Sequence, residues 1–111
     1  MRGDIYRLKA SRTARGHEQQ GQRFGVILQA DYLPLSTILV APTSTKCSPA
    51  SFRPELQIDG VTTRIMVEQT AAIGVESRLG EMVGRLSHTE LEAVDRALAL
   101  IFDLSMDPNG M

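Results

Sequence analysis

Only one stretch of this chain carries the periodicity of a helix, and it is the last one. Ser87, with Glu90 three residues on, forms the pattern of a capping box, in which each side chain satisfies the other residue's exposed backbone N–H. Leu86 before the cap and Leu91 just inside it can close over that turn as a staple. Leu91, Val94, Leu98 and Ile101 then recur at helical spacing and predict an apolar stripe facing a core. The helix is expected to end near Asp103–Leu104, leaving 105–111 as a flexible tail. Everything before it must bury its apolar residues with strands.

The strand signals are short and separated by polar loops. Residues 4–8 (DIYRL) read as a strand, followed by a long polar loop over 9–22 with Gly16 and Gly21. Residues 24–30 resume as a strand with Val26-Ile27-Leu28 at its centre, and Tyr32-Leu33-Pro34 breaks it. Residues 37–41 are near-continuously apolar, as in a strand buried on both faces, and Pro42 is expected to end it. A second polar loop spans 43–52. Residues 55–59 alternate like a strand with one wet face, and Gly60 marks a turn. A strand over 64–68 would put Arg64, Met66 and Glu68 on one face. The last strand, 78–85, carries Gly80 and Gly84, which point to bulges or close backbone approach. Many short strands followed by a terminal helix indicate a mainly β fold with α, a small antiparallel barrel or sheet under helical cover.

The chain has 111 residues, which fit one domain, expected over 1–104. Its 42% apolar and 23% charged content is that of an ordinary globular protein. No run approaches the roughly 20 apolar residues of a membrane helix, and MRGDIYRLKA lacks the apolar stretch of a signal peptide. No membrane association is therefore expected, and the compartment expected by default is cytoplasmic. Cys47 is the single cysteine, which excludes an internal disulfide and a multi-cysteine metal site. His17 and His88 lack zinc-ligand spacing to each other or to Cys47. There is no phosphate-cradling glycine motif and no nucleophile elbow. The expectation is chemistry without metal or cofactor, driven by acid–base or electrostatic groups.

Charge is unevenly spread although the net value is only −1. Residues 1–25 hold an excess of four positive charges and residues 87–111 an excess of four negative ones. That asymmetry suggests one surface suited to phosphates and another that repels them, or simply two solvated faces.

The most unusual stretch is 16–28, GHEQQGQRFGVIL, a glycine-bracketed polar loop that delivers one arginine into an apolar strand. His17 titrates near neutrality, and Glu18 or Arg23 beside it would tune that titration. Arg23 at a loop-to-strand junction presents a fixed, permanently charged fork for phosphate oxygens. Pro42-Thr43-Ser44-Thr45 supplies hydroxyls and backbone N–H groups at another strand end. Together these could hold a phosphodiester and stabilise the charge of its transition state.

These residues also resemble a known family. Gly3-Asp4-Ile5-Tyr6, the loop 16–28, the strand end 41–45 and Val67-Glu68-Gln69 match, in order and spacing, the MazF/PemK/Kid family of toxin endoribonucleases, over residues 2–104. GHEQQGQR is especially close to the Kid branch. The resemblance implies an SH3-like barrel of MazF/CcdB type, usually a homodimer. It also implies sequence-specific, metal-independent cleavage of single-stranded RNA, which would inhibit translation and growth. In that chemistry the 2′-OH attacks the adjacent phosphate, leaving a 2′,3′-cyclic phosphate and a 5′-OH.

By the same resemblance Arg23 matches the catalytic arginine and Thr43 its partnering threonine. His17 and Glu18 match loop positions that contact substrate or assist proton transfer, and Glu68 an acidic position that some schemes make the base. Gln20 and Ser44 are further candidates for contact with substrate. The implied partner is a cognate MazE-like antitoxin whose C-terminal segment folds over the RNA groove.

Three positions depart from the pattern. Phe24 replaces the proline after the arginine, Met66 replaces a Kid-branch arginine, and Ala71 replaces a later one. Arg64 is the candidate to restore charge from a shifted position. A member that binds RNA or antitoxin without cleaving, and a CcdB-like toxin that binds gyrase, are the rival readings. The chain's end, with no aromatic residue after Phe102, argues against the latter.

Overall fold

A computed structural model describes residues 1–10 and 23–105. The strands are β1 (Asp4–Leu8), β2 (Arg23–Ile27), β3 (Thr37–Ser44), β4 (Glu55–Ile58), β5 (Val61–Ile65), β6 (Ala71–Gly74) and β7 (Leu79–Arg85). Two helices, α1 (Val75–Arg78) and α2 (His88–Phe102), and a 3-10 turn at Val67–Gln69 complete the described elements. Every strand pairing is antiparallel, in the order β4-β5-β3-β2-β1-β7, with β6 joined to β3 off that path. The result is the expected mainly β fold, a curled half-barrel with a C-terminal helix.

β3 is the strand on which the sheet turns. Its Val40–Pro42 segment pairs with β2, while its other edge is divided: Thr37–Val40 pair with β6, and Thr43 and Ser44 pair with β5. Pro42 sits between those two partners, where a missing N–H costs no ladder bond on that edge. That is why the strand does not stop at Pro42, as the sequence suggested, but runs on to Ser44. The carbonyl of Pro42 is used instead, accepting from the Met66 N–H at 2.8 Å and fixing the end of β5 against β3.

The interior is filled by Ile5, Val26, Ala41, Leu56, Ile58 and Ile65 from the strands, and by Val67 from the 3-10 turn. Leu86, Val94 and Ala97 close it from the helix side. The capping box forms as read: Ser87 Oγ accepts from the Glu90 N–H at 3.1 Å, and the Glu90 carboxylate accepts from the Ser87 N–H at 2.7 Å. Leu91, Val94 and Leu98 pack on the core, but Ile101 is exposed together with Leu100 and Phe102. The apolar stripe therefore outlasts the core it was expected to cover.

Three expectations shift. The strand placed at 64–68 lies at Val61–Ile65, because Asp59 (φ 53°) and Gly60 (φ 79°) make a two-residue turn that sets Val61 opposite Ile58. Glu68 therefore falls in the 3-10 turn and does not share a strand face with Arg64. β2 ends at Ile27, before the expected 30: the buried Gln29 side chain accepts from the Leu39 N–H and donates to the Leu33 carbonyl, replacing ladder bonds. Gly80 and Gly84 do flank irregular pairing, with register shifts between β1 and β7 on either side of Tyr6.

The oppositely charged ends of the sequence meet in one ion pair among the described residues, Arg2 with Asp95 of α2. The buried Asp4 is held by Arg85 at 2.8 Å. Among the described residues no helix is long and apolar enough to cross a membrane.

Candidate functional site

A groove of about 470 Å³ opens where β2 begins, β3 ends and the β4–β5 hairpin turns. One wall is Arg23 and Phe24 at the start of β2, with Thr43, Ser44, Thr45 and Lys46 at and beyond the end of β3. The facing wall is Ile58, Asp59, Val61 and Thr63 of the hairpin, with Met66 just after β5.

Pairing places Arg23. Its strand partner is Leu8, and Phe24 lies opposite Arg7, so the ladder runs to the first residue of β2. A proline at 24, with no N–H to offer, would weaken such pairing; phenylalanine supports it. The Phe24 ring is capped by the Arg7 guanidinium 5.4 Å from its centroid, and Arg7 is itself paired with Glu81 at 3.4 Å.

The two hydroxyls predicted for the site are not equivalent. Thr43 is buried and its Oγ1 donates to the Phe24 carbonyl at 3.2 Å, tying the two strand ends together. Ser44 Oγ accepts the backbone N–H groups of Lys46 and Cys47, at 3.0 and 3.1 Å. An oxygen that already accepts twice still has its own proton to donate. Ser44 is therefore the hydroxyl available to a ligand, and Thr43 the one that holds the wall in shape.

Among the described residues, most cations outside the groove are occupied. Arg2, Arg7, Arg53, Arg64 and Arg85 are ion-paired, and Lys9 and Arg78 donate to backbone carbonyls. Arg96 is exposed on α2. Neither Arg23 nor Lys46 takes part in any ion pair among the described residues, and both line the groove.

Arg64 and Glu68 stand apart from it. Arg64 lies opposite Ser44 in the β3–β5 register, but its guanidinium is held by Glu55 at 3.1 Å and it is not in the groove lining. Glu68 accepts two hydrogen bonds from Arg53, at 3.0 and 2.7 Å, and its other carboxylate oxygen is buried without a partner. Burial pushes the Glu68 carboxyl up, but the hydrogen bonds and charge of Arg53 outweigh that and hold it below its ordinary range. Met66 does line the groove, as an apolar surface, whereas Ala71 lies on β6 opposite Val40 and outside the lining. His17, Glu18 and Gln20 lie outside the described residues.

The structure brings Arg23, Thr43 and Ser44, which the sequence singled out, to one groove and adds Lys46 and Asp59, which it did not. The Asp-Gly pair between two alternating runs is the sequence signal that would have placed Asp59 at a hairpin tip. Among the described residues no cluster of three or more His, Cys, Asp or Glu side chains could hold a metal ion.

Comparison with known proteins places the fold and the family. A Mycobacterium tuberculosis protein described as a toxin is 39% identical over 99 residues, covering 89% of this chain and 93% of that protein. The M. tuberculosis toxin MazF-mt6 superposes with a TM-score of 0.74 at 19% identity, covering 92% of this chain and 98% of its own. An endoribonuclease from a mycobacterial species, solved with its cognate antitoxin, gives 0.76 at 15% identity, covering 95% and 96%. MazF from Deinococcus radiodurans gives 0.74 at 20% identity, covering 93% and 96%. At such identities the superpositions establish a shared fold. Residues 1–102 match the family described as PemK-like, MazF-like toxins, so the chain is a member of that toxin family of type II toxin–antitoxin systems.

Proposed function

We propose that this chain is the toxin of such a system and acts as a sequence-specific endoribonuclease on single-stranded RNA. The observation that carries the reading is the pair of cations, Arg23 and Lys46, that have no acid partner among the described residues and stand on the wall of the groove that also holds Ser44.

In this mechanism the 2′-oxygen of one nucleotide attacks the adjacent phosphorus and the 5′-oxygen of the next nucleotide leaves. The products are a 2′,3′-cyclic phosphate and a 5′-OH. Attack needs the 2′-oxygen, phosphorus and leaving oxygen in line, a geometry that a helical backbone disfavours, so the strand must be unpaired. DNA lacks the nucleophile. Charge grows on the non-bridging oxygens as the phosphorane forms, and Arg23, with its planar, permanently charged fork, stabilises it electrostatically. Ser44 donates a hydrogen bond to the same oxygens, Lys46 holds a flanking phosphate, and Thr43 keeps the Arg23 strand end against β3. One proton must leave the 2′-oxygen and one must reach the 5′-oxygen. Histidine is the side chain suited to that work, and His17, with Glu18 and Gln20, shortly precedes Arg23 in the sequence.

The same groove suits an antitoxin segment with acidic and apolar side chains, the first for Arg23 and Lys46, the second for Phe24, Val61 and Met66. A second copy of the chain would cover the apolar end of α2, where Leu100, Ile101, Phe102 and Leu104 are exposed.

The test is incubation of purified protein with a long single-stranded RNA in EDTA, mapping fragment ends. Discrete cuts with 2′,3′-cyclic phosphate and 5′-OH ends, reduced about 100- to 1,000-fold in Arg23→Ala, are expected. Intact RNA with folded protein would overturn the nuclease reading. The loss of charge at Met66 would then favour a chain that binds antitoxin or RNA without cutting.

A further inference from the structure

The wall that faces Arg23 and Lys46 carries a charge of the opposite sign. Asp59 is exposed at the tip of the β4–β5 hairpin, lines the groove, and takes part in no ion pair among the described residues. Its φ of 53°, followed by Gly60 at 79°, is a conformation for which Asp, Asn and Gly are the favoured residues. The turn needs a short polar side chain and not a negative one. The carboxylate therefore calls for an account beyond the turn, and its position over the groove supplies one.

A polyanionic strand cannot lay phosphates against both walls. Its phosphodiesters are drawn to Arg23 and Lys46 and repelled by Asp59, so its bases point toward the hairpin. There Val61, half exposed, offers apolar surface to a base face over the buried Ile58, and Asp59 stands at the edge. An ionised carboxylate only accepts hydrogen bonds. In unpaired RNA the Watson–Crick edges are open to reading. Guanine alone presents two adjacent donors there, the N1 imino and the N2 amino groups, which match the two oxygens of one carboxylate. Adenine and cytosine present one amino group beside a ring acceptor. Uracil presents one imino group between two carbonyls.

We propose that Asp59 is a specificity residue that selects a guanine in the strand bound along this groove. The proposal rests on the RNA-binding reading above and adds the base that it prefers.

The test is binding, so that it does not depend on cleavage. Fluorescence anisotropy would be measured with 2′-O-methyl uridine hexamers, unsubstituted or carrying one guanine, adenine, cytosine or inosine; the methylated 2′-oxygen cannot attack. The wild-type chain is expected to bind the guanine hexamer about tenfold or more tightly than the others. Inosine, which lacks the N2 amino group, should fall between. In Asp59→Asn, which preserves the turn, the hexamers should converge to within about threefold. The uridine host itself should bind no more weakly than to wild type, because a repulsive charge has gone. Damage to the fold would weaken all of them, and a melting curve of the variant checks for it directly. An unchanged guanine preference in Asp59→Asn, or none in a wild-type chain that binds the hexamers, would overturn the assignment of Asp59 alone. A folded wild-type chain that binds no hexamer would overturn the RNA reading together with it.

Discussion

Two arginines approach the end of β3 from opposite edges, and the molecule treats them differently. Arg23 begins β2, two residues before the Gly25 that pairs with Pro42, and has no acid partner among the described residues. Arg64, on β5, lies opposite Ser44 and is held by Glu55 at 3.1 Å and by the Arg53 carbonyl at 3.5 Å. Its neighbour Arg53 is tied to Glu68. The β2 side of the groove thus keeps its positive charge for a ligand, while the β5 side spends its own within the fold. A residue type at a strand end does not make a binding site; what distinguishes Arg23 is a guanidinium held in no ion pair among the described residues.

The sharpest way to break this comparison is Arg23→Lys, which preserves the charge and removes the planar fork. If Arg23 acts on two phosphate oxygens at once, kcat/KM on RNA should fall on the order of 100-fold with no change in melting temperature. Full activity with lysine would reduce the residue to a point charge.

Next comes the backbone that holds it. A Cβ at Gly25 would run into Val40 Cγ1 and lie 3.1 Å from the methyl carbons of Leu8, so β2 and β3 must part to admit it. Gly25→Ala is expected to cost about 2 kcal/mol, as overpacking does. It should also lower cleavage beyond what the unfolded fraction explains, because Arg23 and Thr43 move with the strands. Denaturant melts beside cleavage rates on the folded fraction check both parts. Lost stability with unchanged activity would show that the groove tolerates the shift.

The paired side has its own signature. The Glu68 carboxyl lies below its ordinary range because the bonds from Arg53 outweigh the upward push of burial. Between that depressed value and the unfolded value of about 4.3, the folded chain binds fewer protons than the unfolded one. The stabilisation is therefore complete above the unfolded pKa and is lost as pH falls through the folded one. Glu68→Gln should lower stability near pH 7 by about 1 kcal/mol and flatten the acid-side decline below about pH 4. A curve displaced without a change of slope would mean the pair contributes nothing to it. Asp4, held low by Arg85 and the N-terminal amine despite its burial, adds to the same decline and remains in the variant as an internal reference.

How far the sequence showed all this depends on how local each signal is. The capping box at Ser87 and Glu90 needs only four residues and a helix, and it appears as written. Arg23, Thr43 and Ser44 could be brought together because each marks the end of a strongly apolar strand. β6 and α1 could not be seen: Ala71-Ala72-Ile73-Gly74 is weakly strand-like alone and is held by pairing with Thr37–Val40, distant in sequence. Nor could the tethering of Arg64 to Glu55 be read, since it depends on a two-residue turn shifting β5 by three positions. Lys46 and Asp59 were missed for the same reason, because a groove between two loops is a tertiary fact.

Lys46 tests the unpaired side more gently than Arg23 does. If it holds a flanking phosphate, Lys46→Gln should weaken single-stranded RNA binding a few-fold. The dependence of log K on log salt should also become shallower by about 0.7, the share of one released counterion. An unchanged slope would remove Lys46 from the interface even if the affinity drops.

The smallest effect should come from Arg64→Gln, and it decides whether the comparison stands. The substitution removes a positive charge one strand away from Ser44, so simple proximity predicts a loss of activity close to that at Arg23. The geometry predicts otherwise. With its guanidinium on Glu55, Arg64 can reach a phosphate only by giving up that pair, and a half-exposed pair of this kind is worth about 0–1 kcal/mol. Its recruitment is therefore not forbidden by energy alone; what opposes it is that the guanidinium is turned across to Glu55, its register partner on β4, and does not line the groove. Cleavage by Arg64→Gln should stay within about threefold of wild type, with Glu55→Gln as the companion. If freeing Arg64 in Glu55→Gln raises activity while Arg64→Gln leaves it unchanged, the acid is what keeps the second arginine out of the site. If Arg64→Gln alone costs tenfold or more, substrate pulls Arg64 away from Glu55, and the two sides of β3 belong to one site.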